Sequence, residues 1–140
     1  RSLVGSEMCI RDRIIGYYLT DMQKTYGFVL AYEAASDTCW ERIPQETAYE
    51  VYRITQELMT NIAKHAGAHS VSVSLSAVTD EKYRLRIEND GTAFSAAMAA
   101  DATNKQGGIG IRTIQDRAKS ISAVFETLNE SGRTVFLLTF

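Results

Sequence analysis

Four groups of residues in this 140-residue chain have types and spacing that could do chemistry. On a helical wheel of about 100° per residue, Glu57, Asn61 and Lys64 fall within roughly 60° of one another. A carboxylate, an amide oxygen and an ammonium would then line one edge of a helix. Its apolar residues Val51, Leu58 and Ile62 centre roughly 120° away. Taken alone, that edge also fits a plain solvated face. The second group is Asn89-Asp90-Gly91, at the end of an alternating stretch, where an Asp-Gly pair also suits an ordinary turn. The third is Gln106-Gly107-Gly108-Ile109-Gly110, just ahead of a helical pattern. Glycines there let backbone N–H groups approach a phosphate, and a helix N-terminus favours an anion. Lys105 could add a phosphate contact, or lie in solvent. The fourth is Gly132, opening the last strand.

These groups need elements to hold them. Residues 14–26 carry Ile14, Ile15, Tyr18, Leu19 and Met22 on one helical face, and Gly27 is a stop. A short apolar run at 28–32 reads as a strand, residues 36–41 as a loop, and Pro44 as the entry to a helix. From 45 to 66 the pattern is helical, with Ala48, Val51, Leu58, Ile62 and Ala66 at three-, four- and seven-residue steps and Gly67 as the end. Val71, Val73 and Leu75 alternate with serines, the period of a half-buried strand. After a turn at 79–82, Tyr83, Leu85, Ile87 and Asn89 share one face of a second strand, with Arg84, Arg86 and Glu88 on the other. A Gly/Ala-rich loop then reaches Gly110, and 111–122 is helical. Strands at 124–128 and 134–140 are joined by Ser131-Gly132, a hairpin signal. This order predicts an α+β fold, a two-layer α/β sandwich with a mixed, mostly antiparallel sheet and helices on one face.

Composition narrows the function. Apolar residues make up 45% and charged residues 23%, values of an ordinary globular domain. No stretch approaches 18 consecutive apolar residues, so no membrane-spanning helix is expected. The net charge is −2 with no run of Lys or Arg, which argues against a nucleic-acid partner. Cys9 and Cys39 cannot make a disulfide framework, and no Cys/His cluster has zinc spacing, a balance that fits the cytoplasm.

Residues 1–13, RSLVGSEMCIRDR, resemble the translation of a transposase adapter used in DNA library preparation. They are expected to lie outside the native fold, with the domain at 14–140 and the natural N-terminal part of the protein replaced.

Taken in order, QELMTNIAKHAGA, IENDG, GGIGIRTIQDRA and GRTVFLLTF resemble the ATP-binding catalytic domain of sensor histidine kinases. These belong to the wider group that includes type II topoisomerases, mismatch-repair ATPases and the large heat-shock chaperone. Tyr52-Arg53-Ile54, Gln56-Glu57 and Lys64-His65-Ala66 resemble the nitrate-sensor-like branch most. The resemblance covers about residues 26–140.

The resemblance implies a Bergerat-type ATP-binding fold and the cofactors ATP and Mg²⁺. It makes Asn61 the metal ligand, an amide oxygen being suited to Mg²⁺, and Glu57 the catalytic acid that positions water or polarises the phosphoacceptor. Lys64 and His65 match positions near the phosphates. Asn89, Asp90 and Gly91 form the adenine-reading motif, and Gly108 and Gly110 belong to a lid over the triphosphate. Three positions depart from the pattern. Asn89 stands where Asp is usual, and Ala93 and Thr113 replace glycines. No histidine has the setting of a phosphoacceptor, since His65 lies within the ATP-site helix and His69 just after Gly67. The implied partners are therefore a dimerisation and phosphoacceptor segment of the same protein and a response regulator, in a homodimer anchored in the membrane. Residues 14–26 would be the tail of that segment or the first helix of the domain. Two alternatives stay open: a serine kinase of the anti-sigma-factor type, and a non-catalytic partner-binding module of the same fold.

Overall fold

In the computed structural model the backbone is described for residues 2–35, 42–91 and 107–140, and the side chains of these from residue 14 onward except 65, 66 and 107–110. The elements run α1 (Ser2–Tyr26), β1 (Val29–Ala34), α2 (Gln45–Asn61), a π-helical turn (Ile62–Ala66), β2 (Ser70–Ala77), β3 (Tyr83–Asn89), α3 (Gly107–Ser120), β4 (Val124–Glu130) and β5 (Arg133–Thr139). The five strands form one sheet in the order β1-β2-β3-β5-β4. Only β1 and β2 pair in parallel, and α2 supplies the long crossover that such a pair requires. Every other neighbour is antiparallel. This is the mixed, mostly antiparallel α+β sandwich that the pattern predicts.

Strand period decides which side chains enter the core. Along β3 the burial alternates strictly, with Tyr83, Leu85, Ile87 and Asn89 inside. Val71, Val73 and Leu75 of β2 and Phe136 and Leu138 of β5 join them on that face. The helices cover it with Ile15 and Leu19 of α1, Val51, Ile54, Leu58 and Met59 of α2, Ile62 of the π turn, and Ile111, Ile114 and Ala118 of α3. The β4–β5 hairpin turns at Ser131 and Gly132, both at positive φ (51° and 79°), the mirror-image turn that matches the twist of the flanking strands.

Several boundaries differ from expectation. Strand β1 begins one residue later and runs to Ala34, while Phe28 stays buried just ahead of it. Helix α1 starts at Ser2, so the backbone helix runs through 2–13 instead of beginning at Ile14; no proline interrupts it. Helix α3 starts at Gly107 instead of Ile111, so Gly108 and Gly110 lie in its first turn and not in a loop. The α-helix expected over 45–66 closes at Asn61, and its last turn is a π-helix that ends on Gly67 in the left-handed conformation. The expected loop at 36–41, with Cys39, and the readings at Ala93 and Lys105 lie outside the described residues.

Candidate nucleotide site

Helix α2 carries two of the chemical groups. Glu57 and Asn61 are half-buried on the same edge, clear of the core residues Val51, Leu58 and Met59. The Asn61 Nδ2 is buried and has no hydrogen-bond partner among the described residues. A desolvated amide N–H without a partner costs free energy, so this donor is open to a ligand atom or a water. Its carbonyl end is an oxygen donor of the kind that Mg²⁺ takes. The residues present therefore fit a Mg²⁺ site at Asn61.

The π turn alters the helical register beyond Asn61. Its hydrogen bonds run to the fifth residue back instead of the fourth, which rotates Lys64 away from the position given by 100° per residue. Lys64 is exposed, and the side chain of His65 is not described. Single π turns of this kind recur at functional sites in helices.

Strand β3 supplies the second group. Asn89 is 1% exposed, and its Oδ1 accepts a hydrogen bond of 2.9 Å from the Gly91 N–H. An amide oxygen has two lone pairs, so one remains for a base amino group. Asp90 is turned out to solvent. Its Oδ1 accepts from the N–H groups of His69 (2.8 Å) and Ser70 (2.9 Å), tying the end of β3 to the start of β2. Those backbone donors, the Ser70 N–H first, hold its carboxyl below the usual carboxylate range. Asp90 is thus a staple between strands. Thr134, absent from the groups picked out by residue type and spacing, is the β5 partner of Asn89 and is 1% exposed. Its place in the inward series with Phe136 and Leu138 was the signal: a hydroxyl among apolar side chains.

The third group is set by how α3 lies on α2. Arg117 Nη1 of α3 donates to Glu50 Oε1 of α2 at 2.7 Å, and the start of α2 (Gln45 and Glu46, with the cap Pro44) shares a cleft with Ser120 and Ile121 at the end of α3. The two helices are therefore antiparallel. At about 1.5 Å of rise per residue, Asn61 lies about 17 Å along α2 from Glu50, and Gly108 about 14 Å back along α3 from Arg117. The start of α3 thus runs in the direction of the Asn61 end of α2. Backbone N–H groups of that first turn have no intrahelical partner and carry the positive end of the helix dipole. Thr113, at the altered glycine position, lies half-buried one turn further on. An amide oxygen, an anion-binding helix start and a buried amide at a strand end together suit a metal-bound, phosphorylated purine nucleotide.

Comparison with known proteins agrees. A family model described as histidine kinase-, DNA gyrase B-, and HSP90-like ATPase matches residues 46–140. An uncharacterized sensor-like histidine kinase of Chloroflexus aurantiacus is 24% identical over 123 residues, 88% of this chain and 21% of that protein. The sensor protein VraS of Staphylococcus aureus is 26% identical over 128 residues, 90% of this chain and 33% of that protein. The chain thus spans a fifth to a third of the length of these relatives. Among solved structures, the histidine kinase domain of the blue-light activated histidine kinase of Erythrobacter litoralis superposes with a TM-score of 0.71 at 19% identity, over 90% of this chain and 58% of that one. Full-length ShkA in complex with AMPPNP gives 0.68 at 14%, over 91% and 28%. At these identities the structural likeness is one of fold.

Proposed function

The chain belongs to the family of histidine kinase-, DNA gyrase B- and HSP90-like ATPases, and on that premise we propose that it is the ATP-binding catalytic domain of a two-component sensor histidine kinase. The observation that carries the reading is the unpartnered buried amide of Asn61 at the end of α2 towards which the start of α3 runs. Asn61 holds Mg²⁺ through its side-chain oxygen. Bound there, Mg²⁺ neutralises charge on the phosphates. The N–H groups around Gly108 and Gly110 take the phosphate oxygens, as one ATP-analogue-bound neighbour of this fold makes reasonable. Asn89 accepts from the adenine amino group, and Gly91 keeps its side chain oriented. Glu57 accepts a hydrogen bond from the acceptor imidazole and raises its nucleophilicity. The γ-phosphoryl passes to that histidine, and these groups mainly position the reactants and offset charge.

In the whole protein the acceptor histidine sits on the dimerisation segment, and the phosphoryl then moves to an aspartate of a response regulator. The domain acts in the cytoplasm as part of a homodimer that is anchored in the membrane. No helix among the described residues is itself long and apolar enough to span one. The relatives named above are a sensor-like histidine kinase and a sensor protein, which does not favour the serine-kinase alternative. The test is phosphotransfer: with MgATP labelled at the γ-phosphate, the chain should label the dimerisation segment of its parent kinase on histidine, giving an acid-labile product. Acid-stable label on serine, or none, would overturn the proposal.

A further inference from the structure

We propose that the Glu50–Arg117 ion pair is a positioning clasp for the nucleotide site, setting the glycine turn of α3 against Glu57 and Asn61; this rests on the reading of that site as a nucleotide site. Helical register sets the geometry. Glu57 and Asn61 follow Glu50 by seven and eleven residues, steps that return to within about 20° of the same line on an α-helix. Glu50, Glu57 and Asn61 therefore form one straight stripe on α2. Gly110 precedes Arg117 by seven residues and lies on the same line of α3 within about 20°. Because the helices are antiparallel and Arg117 meets Glu50, the seven-residue step on each carries Gly110 and Glu57 the same distance, about 10 Å, in the same direction from that contact. The next turn of each brings the start of α3 towards Asn61. The contact thus selects one register of the two stripes among those that the apolar packing of Ile111, Ile114 and Ala118 allows.

The pair is poorly built for stability. Its side chains are only 24% and 22% exposed, and the Arg117 Nε is buried with no partner among the described residues. Taking such charges from water costs much of what their attraction returns, and an unpaired N–H adds to the cost. Well-packed apolar side chains of similar volume often hold two helices together as well or better. What a charged pair gives instead is one preferred register, the role best attested for buried ionic groups.

The test combines nucleotide binding, melting and the amide resonances of Gly108 and Gly110. Glu50→Gln keeps the shape and an acceptor for Arg117, and Arg117→Lys keeps the charge. Both should leave the nucleotide-free chain folded, with Gly108 and Gly110 amides displaced and MgATP binding weakened by about ten-fold. The double variant Glu50→Arg/Arg117→Glu should recover most of the lost affinity. Single variants that are folded and bind MgATP as the parent does, with unmoved Gly108 and Gly110 resonances, would overturn the clasp. A lowered melting temperature with unchanged affinity would overturn it too, because that is the mark of a merely structural pair. If the parent chain itself fails to bind MgATP, the nucleotide reading falls and the clasp falls with it.

Discussion

Asn89 shows how one residue's setting decides its chemistry. It lies buried at the end of β3 in the inward series Tyr83, Leu85, Ile87, while Asp90 spends a carboxylate oxygen on the His69 and Ser70 N–H groups. An amide oxygen lacks the charge assistance of a carboxylate, and charge-assisted hydrogen bonds are roughly twice as strong as neutral ones. The deficit is on the order of 1 kcal/mol, about five-fold in affinity. Asn89→Asp should therefore tighten ATP binding about five-fold and sharpen preference over GTP, and Asn89→Ala should weaken it, as competition titrations would report. Asp90→Ala should lower the melting temperature with a smaller effect on ATP. An Asp90→Ala chain that melts normally but has lost ATP would make Asp90 the reader instead. Asn61→Ala should remove the Mg²⁺-dependent part of nucleotide binding and leave the circular dichroism spectrum unchanged. Binding of MgATP equal to the parent's would displace the metal assignment.

Elements carry the second level. On the sheet face away from the helices, Glu88 accepts from Arg86 Nη2 (2.7 Å) and Arg133 Nε (2.6 Å), and Arg86 also reaches Glu130 (3.0 Å). The network crosses β3, β5 and β4. Hydrogen bonding to Arg86, and beyond it to Arg133, holds the Glu88 carboxyl below its ordinary value of 4.5. A carboxyl whose value is lowered in the folded state adds stability that is full above its unfolded value and fades as pH falls below it. Thermal melts should therefore show stability falling below about pH 4.5, and Glu88→Gln should be less stable at neutral pH with a shallower acid-side loss. An unchanged acid slope in Glu88→Gln would assign the loss to other carboxylates. These strands were legible because their period is two: the parity of β3 and the Ser131-Gly132 turn follow from residue order alone. Helix starts were less so. Glycines at 107, 108 and 110 read as loop because each costs a helix about 1 kcal/mol, yet Ile111 and Ile114 anchor α3 in the core and carry its first turn with them. The π turn after Asn61 was hidden, since a wheel of constant step cannot show a change of hydrogen-bond span.

At the scale of the molecule, the sandwich brings together groups that lie far apart in sequence. The proposed site draws on helix α2, the end of β3 with its β5 partner Thr134, and the start of α3. The types of three of these groups could be read from the chain, but their convergence could not. It depends on contacts such as Glu50 to Arg117, 67 residues apart, that no local pattern encodes. The chain holds only two histidines, one inside the π turn and one stapled through its N–H to Asp90. Incubated alone with labelled ATP it should not label itself, and label on His65 or His69 would contradict the assignment of the acceptor to another segment. The most direct test of the nucleotide site is calorimetric titration of the chain with ATP, once with Mg²⁺ and once with a chelator. Saturable binding of one ATP per chain, markedly tighter with Mg²⁺, is the expected result. No binding, or binding indifferent to Mg²⁺, would contradict it.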